Sequence, residues 1–320
     1  MALFARHDQE GPGIVDDDVT KGLFITYLTT YFRKIGPLTL TNLAFFLTHI
    51  PAMIVAYIFV IFFLPRFHPA LSPDGFIKVA RDLGLASVEA DLTLADAAMQ
   101  LYFLLVFVLV MFLVGSLAIV VGPVVTGFAN VYRYYARELP CFLWSDALRS
   151  LKSNWKQATA ATLISLAASF FILNTSALYL AMPDFKYSGQ LSIVFLVLFL
   201  FFLCMQIFIY PMIATIELPL KKIYRNALFL FIGRLPYVLG IMLVNLVFLL
   251  VIPALLLLTF TYIAYAIVII YYLFFVFSYV QYLNSFFSWY LFEKYIVKPV
   301  PSDDDTQTHK VDKNEDENQS

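Results

Sequence analysis

LPYVLGIMLVNLVFLLVIPALLLLTFTYIAYAIVIIYYLFFVFSYVQYLNSFFSWYLF, residues 235–292, contains no Lys, Arg, Asp or Glu across 58 positions. A helix rises about 1.5 Å per residue, so one straight helix of this length would be more than twice as long as a bilayer is thick. The run has to turn back on itself, and the turn is expected between Pro253 and Tyr265. Four further stretches are equally free of charge: Ile35 to Pro65, Ala97 to Tyr132, Gln157 to Pro183 and Tyr187 to Ile216. Each is long enough for one spanning helix, which needs about 20 apolar residues.

Composition points the same way. At 61% hydrophobic, 18% aromatic and only 13% charged residues, the 320-residue chain is too apolar for a water-soluble globule. The runs are continuously apolar where the strand of a membrane barrel would alternate every second residue. The expected fold is therefore all-α: a polytopic membrane bundle of six transmembrane helices, with cytoplasmic interfacial helices and an internal parallel repeat. The domains expected are a cytoplasmic amino-terminal segment over 1–37, the six-helix body over 38–298 and an acidic cytoplasmic tail over 299–320.

Orientation is read from the basic residues. All but four of the 21 lysines and arginines fall on segments that share a side with the amino terminus; Arg66, Lys78, Arg81 and Lys186 are the exceptions. The positive-inside rule then puts both termini in the cytoplasm, as an even number of spans requires. Residues 1–10 have no apolar core of signal-peptide length, so the first span is expected to direct insertion. VPSDDDTQTHKVDKNEDENQS at the carboxyl end carries seven acids against two lysines and is expected to be disordered.

ELPCFLWSDALRSLKSNWKQA, residues 138–158, puts charge between two uncharged runs. Trp144, Leu148, Leu151 and Trp155 recur at helical spacing, and Arg149, Lys152, Ser153 and Lys156 lie on or beside the opposite face. Such a helix suits the inner headgroup region, or the docking of a cytosolic partner. A second interfacial helix is expected before the first span, with Phe24, Tyr27, Tyr31 and Ile35 in a stripe, Asp16 to Asp18 at its start and Arg33 and Lys34 at its end.

ELPLKKIYRNA at 217–227 repeats the pattern. Leu151, Lys152, Trp155, Lys156, Gln157 and Ala158 match Leu220, Lys221, Tyr224, Arg225, Asn226 and Ala227, each set following Glu-Leu-Pro. Spans two and three would then be a parallel copy of spans four and five. NLAFFLTHIPA at 42–52 has a fainter echo in NLVFLLVIPA at 245–254.

GPGIVDDDVTKG, YFRKIGPLTLTNLAFFLTHIP, DALRSLKSNWKQAT, YPMIATIELPLKKIYRNALFLFIGRLP and FEKYIVKP, in that order, resemble the YesL-like family of bacterial integral membrane proteins. The similarity runs over about residues 11–298, and its most specific pieces are 42–51, 150–159 and 211–236. The family is a domain of unknown function, often encoded near carbohydrate ABC transporters and polysaccharide-degrading enzymes in Gram-positive bacteria. The resemblance implies a plasma-membrane location and an accessory role near sugar uptake, with a sugar ABC transporter as a candidate partner beside the lipid bilayer.

Within the spans the polar groups are few. Asn42 and His49, with Gln281 and Asn284, are the candidates for a polar path; Gln281, Asn284 and Ser288 share one helical face. Such amides and hydroxyls either line a path or join helices, and joining is the commoner use. A passive small-solute facilitator is accordingly the second functional expectation. Coupled carriers usually place acids in their spans, and these five stretches hold none. No catalytic, cofactor or metal constellation is expected: His7, His49, His68 and His309 are scattered, Cys141 and Cys204 are far apart, and Walker, Rossmann and nucleophile-elbow patterns are missing. A membrane enzyme is the third expectation, and no nucleic-acid partner is expected. The docking face would comprise Trp144, Leu148, Leu151, Lys152, Trp155, Lys156, Lys221, Lys222, Tyr224 and Arg225.

Overall fold

A computed structural model describes residues 23–82, 91–182, 184–259 and 261–297. The acids Asp16 to Asp18 and the tail 299–320 lie outside these residues. Every regular element among the described residues is a helix. In chain order they are α1 (Leu23–Arg33), α2 (Ile35–Thr48), α3 (Ile50–Phe67), α4 (Pro73–Asp82), α5 (Asp91–Gly115), α6 (Gly122–Ala136), α7 (Leu143–Leu180), α8 (Ser188–Thr215), α9 (Leu220–Gly233), α10 (Leu235–Leu246), α11 (Ile252–Leu257), α12 (Tyr262–Phe274) and α13 (Val276–Phe292).

Five helical segments are long and apolar enough to cross a membrane: Ile50–Phe67, Ala98–Gly115, Leu143–Leu180, Ser188–Thr215 and Leu235–Leu257. The pair α12 and α13, bent by 42° at Phe275, makes a sixth when counted as one span. The all-helical class expected from composition therefore holds, with five or six helices that could span a membrane. The long uncharged run does turn back inside the expected window, between α11 and α12, where Thr261 Oγ1 caps α12 by accepting the Ala264 N–H at 3.2 Å.

Breaks inside the apolar stretches are the main departure from the expected picture of plain spans. The first stretch is divided at His49, ahead of Pro51, into α2 and α3. The second is divided between Gly115 and Gly122, where Leu117 takes a left-handed φ of 67°. There α5 closes in a Schellman turn, the Ala118 N–H reaching Leu113 O at 3.1 Å and the Leu117 N–H reaching Val114 O at 3.2 Å. A π-helical turn, Val247–Val251, separates α10 from α11. Irregular backbone persists at membrane depth only where protein or cavity water satisfies it. Here protein does so: Tyr271 Oη and Tyr272 Oη donate to Phe248 O at 3.0 Å and Leu249 O at 2.6 Å.

α13 is the central element, with most of its residues buried against α2, α6, α8 and the π-helical turn. α1 docks on it through aromatic rings. Tyr27 stacks on Tyr282 at 5.3 Å and meets Phe286 edge-on at 5.5 Å, and such pairs add about 0.5–1.5 kcal/mol each beyond area burial. Of the stripe expected on this helix, Tyr27 and Tyr31 are buried, whereas Phe24 is exposed and Ile35 belongs to α2.

α6 and α7 approach closely because small residues meet. A β-carbon at Gly122 would overlap Thr162 Oγ1, and one at Gly127 would lie 2.8 Å from Ala147 O. The segment expected as a separate interfacial helix is in fact the first part of α7, a continuous helix of 38 residues. No Gly or Pro occurs in Leu143–Leu180, so nothing in the backbone stops the helix where the charges end.

Candidate functional site

α7 presents three faces along its first half. Trp144, Leu148 and Trp155 are exposed and Leu151 is half-buried; Arg149, Lys152 and Lys156 are exposed on another side. The face turned to the protein is neither of these but a stripe of small residues, Ala147, Ser150, Ala158, Ala161, Ser165 and Ser169. Ser165 Oγ donates to Gln206 Oε1 of α8 at 3.1 Å.

The two Glu-Leu-Pro segments touch each other. Gln157 Nε2 donates to Leu218 O at 2.7 Å, and Tyr224 Oη donates to Ala161 O at 3.4 Å. Ala158 and Ala227, the matched alanines, are both fully buried. Lys221, Lys222 and Arg225 of α9 remain exposed, while Tyr224 is half-buried and burial pushes its phenol up. Trp155 and Tyr224 thus differ: the indole is uncovered, with Lys156 Nζ 5.9 Å from its centroid, and the phenol is tied down. Beyond the matched positions the two copies also diverge, since α9 ends at Gly233 ahead of Pro236 where α7 runs on.

Each of the four candidate path residues is engaged in a contact of its own. Asn42 Oδ1 accepts the Ser278 N–H at 2.7 Å and Asn42 Nδ2 donates to Tyr272 O at 2.8 Å. Gln281 Nε2 donates to Gly115 O at 3.2 Å, and Asn284 Oδ1 accepts from Asn245 Nδ2 at 2.8 Å. His49 is fully buried, stacks on Phe45 with centroids 3.7 Å apart, and through Nδ1 donates to Phe45 O at 2.9 Å. Ser288 Oγ donates to Ile207 O at 3.1 Å. All of these side chains join one helix to another or close a break within their own.

At the end of the bundle carrying α1, Arg33 Nη2 and Glu138 Oε1 lie 2.6 Å apart. Beside them burial pushes the Cys141 thiol up, which keeps it protonated and a poor nucleophile. Among the described residues, no group of three or more His, Cys, Asp or Glu side chains is arranged to hold a metal. Sequence reading passed over Trp289, which sits near the end of α13 with Arg133 and Arg137 around its ring. The available signal was Arg133 in the last turn of α6 and Arg137 at its carboxyl cap, four residues apart.

Comparison with protein-family models, with curated proteins and with solved structures finds no match.

Proposed function

We propose that the chain is a six-span plasma-membrane protein of the YesL-like kind, with both termini cytoplasmic, that acts as a non-catalytic accessory subunit docking a membrane partner such as a carbohydrate ABC transporter. One observation carries the docking reading: the paired segments after the two Glu-Leu-Pro motifs touch, and they leave Lys152, Trp155, Lys156, Lys221, Lys222 and Arg225 uncovered. Aromatic and basic side chains in this combination favour a partner or the anionic inner leaflet over bulk water. The parallel repeat of spans two and three in spans four and five belongs to the same proposal, supported by the shared burial of Ala158 and Ala227. The assignment to sugar uptake rests on the family resemblance.

Purification of the intact protein in mild detergent, followed by mass spectrometry of what accompanies it, tests the reading. A permease or its ATPase is expected, and it should be lost when Lys152, Lys156, Lys221 and Arg225 are all changed to Glu in a variant that still inserts. Recovery of an unaltered complex from that variant would remove this face from the interface.

The broken helices favour a second reading, a passive facilitator, because discontinuous spans often mark substrate sites in carriers. Against it, Asn42, Gln281 and Asn284 are already paired with other helices. Solute flux through proteoliposomes of the protein alone, reduced by Gln281→Leu, would install this reading in place of docking.

A further inference from the structure

A pocket of about 350 Å³ lies between α4, α5 and α11, and every side chain lining it is apolar. Leu105 and Val108 of α5 belong to one wall, Leu250 of the π-helical turn with Ala254 and Leu257 of α11 to the other, and Phe76 of α4 completes the lining.

Both the turn and α4 are fixed in place. The Tyr271 and Tyr272 hydroxyls hold the carbonyls of the π-helical turn on either side of the residue before Leu250. At the entry to α4, Ser72 Oγ accepts the Gly75 N–H at 3.0 Å and donates to Pro69 O at 2.7 Å, and a β-carbon at Gly75 would collide with Pro69 O. Phe76 meets Tyr102 of α5 edge-on at 6.1 Å. Asp74, Lys78 and Asp82, spaced four apart along α4, are exposed. A helix with one charged and one apolar face suits the polar edge of a bilayer.

The lining decides what can enter. A water held in a cavity needs several polar partners, and no polar side chain lines this pocket. Dry apolar cavities of about 150 Å³ take up benzene-sized guests. The two walls belong to Ala98–Gly115 and Leu235–Leu257, both of membrane-crossing length and composition, so the surrounding medium is hydrocarbon. A partner helix, about 10 Å across with its side chains, is too thick for this volume, whereas a single hydrocarbon chain is not.

We propose that the pocket takes one acyl chain of a membrane phospholipid, whose headgroup stays outside beside α4. The exposed face of α4 carries both signs of charge, so recognition rests on the chain and not on the headgroup. The site shares no residue with the docking face on α7 and α9.

Photo-crosslinking of the full-length protein in phosphatidylcholine vesicles tests this. The probe is a small fraction of phosphatidylglycerol or phosphatidylethanolamine carrying a diazirine on its acyl chain, and adducts are mapped by mass spectrometry. Val108 and Leu257 are each 5% exposed, whereas Ile263 of α12 is 74% exposed and serves as the reference for chains that merely surround the protein. Adducts at Val108 and Leu257 comparable with those at Ile263 are expected with either headgroup. Ala254→Phe fills the pocket and should cut the adducts at Val108 and Leu257 by about tenfold or more, with Ile263 unchanged. Leu105→Phe, on the opposite wall, should do the same. Labelling of Ile263 without Val108 and Leu257, pocket labelling that survives both substitutions, or pocket labelling from only one headgroup overturns the proposal.

Discussion

Asn42 of α2 holds the break of the last apolar stretch, accepting the Ser278 N–H at 2.7 Å and donating to Tyr272 O at 2.8 Å. One amide therefore serves an N–H and a C=O on either side of the 42° bend at Phe275. Asn42→Leu should lower unfolding stability by about 1–3 kcal/mol, because it orphans a buried N–H and a buried C=O together. Asn42→Asp should cost at least as much at neutral pH, since an ionised carboxylate buried here would face the Tyr272 carbonyl, and only its protonated form can donate to it. Denaturant titration in a fixed detergent measures both, and equal stability of Asn42→Leu and the parent would contradict the bridging role.

Gly115 and Leu249 are a second joint. A β-carbon at Gly115 would collide with the Leu249 side chain, and Gly115 O is the acceptor for Gln281. Gly115→Ala is expected to cost about 1–3 kcal/mol by overpacking. Leu249→Ala should itself destabilise yet restore tolerance to the added methyl, so the double variant should be more stable than the sum of the single losses implies. Strict additivity in that cycle would disprove the contact.

Glu138 carries a left-handed φ of 55° while it pairs with Arg33. Its side chain and that of Arg33 are about half exposed, so the ion pair is worth about 0–1 kcal/mol. Glycine adopts this conformation without strain. Glu138→Gly should therefore be more stable than Glu138→Ala, with a higher midpoint in thermal unfolding, because both lose the pair and only one relieves the backbone. The reverse order would mean that the conformation carries no strain.

The proposed topology gives a labelling pattern. In a background with Cys141→Ala and Cys204→Ala, a cysteine at the exposed Tyr187 should react with an impermeant thiol reagent in intact cells. One at the exposed Ser153 should react only after permeabilisation. Labelling of Ser153→Cys in intact cells would invert the orientation.

Hydropathy was enough to reveal the class of the protein and the return between α11 and α12, because burial in lipid is a property of long averaged runs. It was silent on the breaks. Leu117 and Phe275 are not the residues that ordinarily announce a turn; Gln281 and Asn42 satisfy the freed backbone from helices far away in sequence. The joint role of Gln281, Asn42 and Asn284 was visible only as a possibility, since an amide reads the same whether it faces a path or another helix. The continuity of α7 was legible and overlooked: charge marks where a helix leaves the apolar layer, whereas only Gly, Pro and caps mark where it ends. The meeting of Trp289 with Arg133 and Arg137 joins the ends of α13 and α6, so no single stretch encoded it.

At about 1.5 Å per residue, α7 measures roughly 57 Å, against about 30 Å of hydrocarbon. Its 38 residues contain no hinge, and its buried stripe is gripped along its length by α6 and α8. The Leu180 end and the rings of Trp144 and Trp155 therefore belong to one unbroken helix, so a partner clasping those rings would hold the same element that α6 and α8 grip.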